Sequence, residues 1–370
     1  MIQGFGNLKA METYANRFPD ALKAGHFRKI NELFLSSIGL GTYLGEMDDA
    51  TDEQSYRTTA QCFAGGINMI DSAINYRAQR SERVLGHVIH DLIQKGSLAR
   101  EEIFISTKGG FLPFDHDDPQ DSADYFDQTY IQSGILEAED IVQGCHAMTP
   151  KYLEDQLGRS LRNLNVDTID LYHLHNPETQ LEEISEDTFY TRLTKAFEFL
   201  EQKVSENKIK MYGTATWNGY RISSQSKGYL SLKKVIETAE RAGGKNHHFK
   251  AIQLPYNLGM PEAFTNQNQL RDGETISAIE FARRAGLLVF TSASLLQGRL
   301  AKRLPDKIRS LFPNCPSAAV CAIQFVRSTP GVTTALVGMK SPAHLFENLA
   351  VCEILPLSQA AFSDLFAQHS

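Results

Sequence analysis

Cysteine is scarce in this chain, and none of it sits in a pairing motif. Cys62, Cys145, Cys315, Cys321 and Cys352 are odd in number and form no C-x-x-C. That argues against a disulfide framework or a metal site and for reduced thiols. Long apolar runs are missing as well. No stretch of about 18 apolar residues occurs, and the opening MIQGFGNLKAMETY carries no apolar leader core. The expectation is a cytoplasmic protein with no membrane partner. A basic stripe is also absent. Lys and Arg total 37 against 44 Asp and Glu, and the one tight basic cluster, Lys302-Arg303 with Lys307 and Arg309, is short. Nucleic acid is therefore not an expected partner. One stretch lacks cations altogether: from Gly109 to Pro150 there is no Lys or Arg.

What is present is an ordinary globular mixture, 42% hydrophobic and 22% charged over 370 residues, enough for a large core. Its apolar residues come in short runs separated by helical patterns. Eight candidate strands follow: 35–43, 68–71, 103–107, 168–175, 209–216, 251–256, 287–294 and 334–338. The clearest helix lies between the third and fourth. Leu153, Leu157, Leu161 and Leu164 recur on one helical face, and Thr149-Pro150 supplies an N-cap and a first-turn proline. Gly286 closes another helix before the strand at 287. Alternation of this kind implies a parallel sheet with right-handed crossovers, either open or closed. The count of eight favours a closed (β/α)8 TIM barrel. No Pro/Gly/Ser linker divides the chain, so residues 1–370 read as a single barrel domain.

Two segments lie outside the repeat. Residues 1–30 form an N-terminal extension, and HFRKINELFL reads as a hairpin turning at Asn31 that caps one barrel end. The second is the insertion 109–150. Its acids are Asp115, Asp117, Asp118, Asp121, Asp124, Asp127, Glu137, Glu139 and Asp140. A loop of this length is a solvated excursion or a functional element. The accompanying Phe111, Phe114, Tyr125, Phe126 and Tyr130 favour a partial lid, which would disfavour anionic substrates.

The chemistry-bearing residues sit at strand ends. Asp71 ends the second strand and Tyr76 follows in the turn. Lys108 ends the third strand and His175 the fourth. Catalytic residues of barrels come from these ends. A free tyrosine, with a pKa of about 10, is a poor proton donor at neutral pH. A neighbouring ammonium lowers that pKa, an aspartate holds the ammonium, and a neutral histidine orients a carbonyl oxygen. The set suits carbonyl reduction, with a nicotinamide as hydride source. GLGTYLG is not the dinucleotide fingerprint of an open sheet, since its spacing is G-x-G-x-x-x-G. A sugar-phosphate isomerase would need a glutamate base and phosphate loop that the chain does not display.

GLGTY, GGINMIDSAINY, SERVLG, STKGG, LGRSLRNLNVDTIDLYHLHNP, QLPYN and LVGMKSPAHLFENL together resemble the aldo-keto reductase superfamily over roughly residues 33–350. The resemblance implies that Tyr76, Asp71, Lys108 and His175 are catalytic, with His175 rather than His173 in the catalytic position. It implies NADPH as cofactor, with NADH as the other possibility. Gly41, Thr42 and Tyr43 would lie beside the nicotinamide with Asp71, and Thr216 and Gln253 would meet its carboxamide. Ser292 would stand at the nicotinamide-stacking position, and Ala293, Ser294, Leu295, Gln297 and Gly298 in the pyrophosphate loop. Gly338, Lys340 and His344 would follow the last strand, Lys340 at a 2′-phosphate and Arg303 at a phosphate, with Glu347 and Asn348 at the adenine. The implied partner is a small-molecule carbonyl substrate, in a pocket lined by Tyr43, Trp217, Phe111 and Phe114, with subunit number left open. The alternative is an NADPH-binding barrel that acts mainly as a sensing or interaction subunit. The chain departs from the family pattern at Arg77, where glycine is usual, and at Ala215-Thr216, where Ser-Asn is usual. It departs also at Ser292, where an aromatic ring often stands, and in the length of the insertion.

Overall fold

The computed structural model describes residues 1–116 and 121–367. A hairpin opens the sheet structure: β1 (Phe27–Ile30) pairs antiparallel with β2 (Leu33–Ser36), and Asn31 turns it in the left-handed region at φ 53°. Then come β3 (Ile38–Gly41), β4 (Met69–Asp71), β5 (Phe104–Gly109), β6 (Ile169–His175), β7 (Ile209–Ala215) and β8 (Phe249–Pro255). A second hairpin, β9 (Gln269–Arg271) with β10 (Glu274–Ile276), stands outside the main sheet, and β11 (Leu288–Ser292) and β12 (Thr334–Val337) complete the set. Strands β3 to β8, β11 and β12 close into an eight-stranded parallel barrel, β12 pairing back onto β3. Each falls within or overlaps one of the eight expected segments.

The barrel wall is apolar on both faces because both are covered. Outward residues such as Ile70, Ile105, Leu174 and Val289 pack under the surrounding helices. Inward residues fill the lower barrel: Met69, Phe104, Leu171, Ala251, Leu288, Phe290 and Leu336 form one cluster. Leu33 and Leu35 of the hairpin join that cluster and seal the N-terminal end, as the sequence led one to expect. Burying each of these leucines contributes about 2 kcal/mol. The upper barrel is filled by polar side chains instead, and there the strand ends open.

The helix Pro150–Leu164 starts as anticipated, with the Thr149 hydroxyl accepting from Tyr152 N–H. Gly286 follows the helix Ala278–Arg284 at φ 70°. No described helix is long and apolar enough to cross a membrane. The insertion folds on itself. Leu112, Tyr130, Leu136, Ala147 and Tyr152 make a small separate core, with Phe126, Ile131, Ile135 and Ile141 against it.

Candidate active site

Asp71, Lys108 and His175 stand at or beside the C-terminal ends of neighbouring strands, each set two residues further along the register than the last. Gly41 lies opposite Asp71, Lys108 opposite His173, His175 opposite Ala215, and Ala215 opposite Gln253. Asp71, Lys108, His175 and Gln253 therefore converge at the upper end of the barrel. A cavity of about 920 Å³ opens above them.

Lys108 is fully buried, and its Nζ lies 2.5 Å from Asp71 Oδ2, 2.6 Å from the Ser72 carbonyl oxygen and 3.3 Å from Tyr76 Oη. Asp71 Oδ1 accepts from Ser106 Oγ and from Gln253 Nε2, each at 2.9 Å. A buried ion pair is costly unless its remaining lone pairs are satisfied, and here they are. Burial alone would depress the lysine; the Asp71 charge and the Tyr76 oxygen override it and hold the ammonium above its ordinary value. Tyr76 runs against the expectation from sequence. Burial pushes its phenol above the ordinary value, and the opposing pull of Lys108 does not cancel that. The phenol is thus a held proton near neutral pH. His175 is driven far down, by burial first and then by the Lys108 charge, so its ring is neutral. The two rings meet edge to face at 5.8 Å. His173, one layer lower, is fully buried and takes no part in the cavity wall.

Asp71, Tyr76 and His175 line the cavity, whereas Lys108 stands behind them. Gly41, Thr42, Tyr43, Thr216, Gln253, Ser292, Ala293, Ser294, Leu295, Gln297, Gly298, Gly338, Lys340, His344, Glu347 and Asn348 line it too. Arg303 does not. The short helix Arg299–Lys302 ends one residue earlier, Arg303 is extended at φ −159°, and Lys302 faces the cavity in its place. Lys302 and Lys340 are exposed and have no acidic partner among the described residues. Asn348 is buried at the same end, with its amide nitrogen unpartnered.

At the other end Tyr43, Trp217 and Phe111 line the mouth, with Asn75 and Asn176, which sequence reasoning passed over. Phe114 does not reach it; its ring stacks on Phe126 at 5.0 Å. The other aromatics that pointed to a partial lid do not line the cavity either. Phe111 alone of the described insertion lines the cavity, and the other aromatics serve the insertion's own core. Of its acids, none described lines the cavity, and Asp117 and Asp118 lie outside the described residues.

Arg77 acquires a role. Its Nε donates to the Glu46 carbonyl at 2.8 Å and its Nη2 to Asp52 at 2.5 Å, while Arg80 binds the other oxygen of Asp52 at 3.0 Å. The residue after Tyr76 thereby ties this turn to the loop that follows Tyr43 and Leu44.

A family model described as the aldo/keto reductase family matches residues 37–258, more than half of the chain. Solved structures share the fold at low identity. An aldo/keto reductase from Klebsiella pneumoniae, in complex with NADP and acetate, superposes with TM-score 0.60 at 19% identity, over 91% of this chain and 93% of that one. The holo form of an aldo-keto reductase from Bacillus halodurans gives 0.62 at 19%, over 92% and 95%. The glycerol dehydrogenase from Gluconobacter oxydans gives 0.65 at 18%, over 94% and 96%.

Proposed function

We propose a function from one premise: the chain belongs to the aldo/keto reductase family. It is an NADPH-dependent oxidoreductase that reduces an aldehyde or ketone to the alcohol. NADPH, when bound, supplies the hydride; the chain's own residues supply the proton and the geometry. Tyr76 donates its phenolic proton to the carbonyl oxygen. Lys108, 3.3 Å from that phenol and anchored on Asp71, stabilises the phenolate as it forms. Neutral His175 orients the carbonyl beside Tyr76.

The cavity fits the cofactor. Two unpaired cations, Lys302 and Lys340, suit a 2′-phosphate, and this supports NADPH over NADH. The unpartnered Asn348 amide, with Glu347, suits the adenine. The turn from Ala293 to Gly298 suits the pyrophosphate. Gln253 has committed its nitrogen to Asp71, which leaves its carbonyl oxygen for the carboxamide with Thr216. Gly41, Thr42 and Tyr43 border the reacting end.

The observation that carries this reading is the Asp71–Lys108–Tyr76 chain opening onto one cavity beside a neutral histidine. Tyr76→Phe should lower kcat for an aldehyde panel at least about 100-fold while leaving the NADPH Kd unchanged. Full carbonyl-reducing activity in that variant sinks the proposal. Since burial raises the phenol, wild-type reduction should be nearly flat from about pH 6 to about pH 9 and fall only beyond it.

A further inference from the structure

The insertion between β5 and the helix Pro150–Leu164 is pinched at its neck. Leu112 N–H donates to the Cys145 carbonyl at 2.8 Å and Ala147 N–H to that of Gly110 at 2.9 Å. Phe111 and His146 face each other across this antiparallel bridge, and both touch His175. His146 Nε2 lies 2.7 Å from the His175 carbonyl oxygen, which can only accept, so Nε2 carries the proton. Nδ1 is then the acceptor, and Gln180 Nε2 donates to it at 3.0 Å. Gln180 is itself oriented, since its oxygen accepts from Arg192 Nη1 at 2.7 Å. Arg192 also donates to the Glu139 carbonyl at 2.9 Å, tying the same chain of bonds to the insertion. The Phe111 ring stands 5.2 Å from the His146 ring at 90° and 5.0 Å from the His175 ring at 87°. Glycine is required beneath: a Cβ on Gly110 would meet His146 Nε2 and the His175 carbonyl oxygen, each at 2.8 Å.

His175 needs this support. Its buried Nδ1 has no hydrogen-bond partner among the described residues. A histidine that works on a substrate is ordinarily oriented by a bond to its other ring nitrogen. Here the backbone anchor and the flanking rings must do that instead. We propose that His146 is a positioning residue for His175, held in one tautomer by Gln180 and Arg192, and that the insertion's neck exists to brace the histidine of the site. The proposal rests on the reductase reading given above.

The test compares His146→Ala with His146→Gln, whose amide can still donate to the His175 carbonyl. In His146→Ala, kcat for aldehyde reduction should fall about tenfold, with carbonyl KM and NADPH Kd within twofold of wild type. His146→Gln should recover most of the loss. The ¹⁵N signals of the His175 ring should be single in wild type and the glutamine variant, and broadened or doubled in the alanine variant. That readout does not depend on turnover. A wild type that reduces no carbonyl with NADPH would therefore fail the function while the His175 signals still decide the bracing. A folded His146→Ala with wild-type kcat and unchanged His175 signals overturns the proposal. Should that variant not fold, Gln180→Leu and Arg192→Met leave the imidazole in place and are expected to show the same kcat loss. Wild-type kcat in either, or failure of all three to fold, overturns it in favour of a purely structural role.

Discussion

Two turns at the upper end of the barrel use the same rare backbone and hold it by different means. Arg77, Ala78 and Gln79 are all left-handed, at φ 51°, 49° and 69°; Leu296, Gln297 and Gly298 are left-handed at 48°, 52° and 82°. Each non-glycine residue so placed costs roughly 1 kcal/mol. In the first turn all three residues are buried, and the side chains of Arg77 and Gln79 are bonded. Arg77 reaches Glu46 and Asp52, Gln79 Nε2 reaches the Phe114 carbonyl at 2.9 Å, and the Ala78 carbonyl accepts from His116. In the second turn Gln297 is exposed and its side chain has no hydrogen bond among the described residues; Leu296 N–H donates to the Ala293 carbonyl at 2.7 Å, which also accepts from Asn257 Nδ2 at 2.9 Å. The strain beside Tyr76 is over-determined, so its side chain keeps its place whatever fills the cavity. The turn after β11 has fewer side-chain bonds holding its left-handed residues.

The contrast breaks most visibly at Arg77. Arg77→Ala removes its bonds while Asp52 keeps Arg80; it should cost about 3 kcal/mol by denaturant unfolding and lower kcat several-fold. Unchanged stability would mean the first turn holds itself. Gln79→Ala should cost about 1–2 kcal/mol through the acceptor and donor it abandons, with kcat within threefold of wild type in steady-state assays. The smallest effect sharpens the other side. Gln297→Gly relieves strain and frees the unfolded chain in similar measure, so stability should stay within about 0.5 kcal/mol. NADPH should dissociate a few-fold faster by stopped-flow fluorescence; an unaltered rate would place that turn among the rigid ones.

The legible parts of the molecule were those written in local pattern. The eight strands are short apolar runs, and Asp71, Lys108 and His175 were found because strand ends can be read from such runs. The Asp272-Gly273 turn of the β9–β10 hairpin, at φ 51° and 82°, was a local signal too and was overlooked. Tertiary arrangements were not legible. The partners of Arg77 lie 25 and 31 residues away, on a helix and a loop that only the closed barrel brings near. The insertion's aromatics suggested a lid because Tyr152, which completes their core, belongs to the helix beyond it. Lys302 was seen but passed over for Arg303, since one residue of helix end decides which faces the cavity. The sign at Tyr76 depends on weighing burial against Lys108, and only the buried geometry supplies that weight.

The neck at Gly110 and Ala147 has a consequence for how this protein can be altered. The insertion leaves and rejoins the barrel at points one hydrogen bond apart, and between them it carries most of a small core that Tyr152 of the following helix completes. Its length is therefore nearly free of closure cost, and it behaves as a cassette. Extra residues inserted between the exposed Gln132 and Ser133 would leave the neck in place, together with the Phe114 and Glu139 carbonyls and their bonds to Gln79 and Arg192. The protein's outer face can be rewritten there while the reacting groups stay in register.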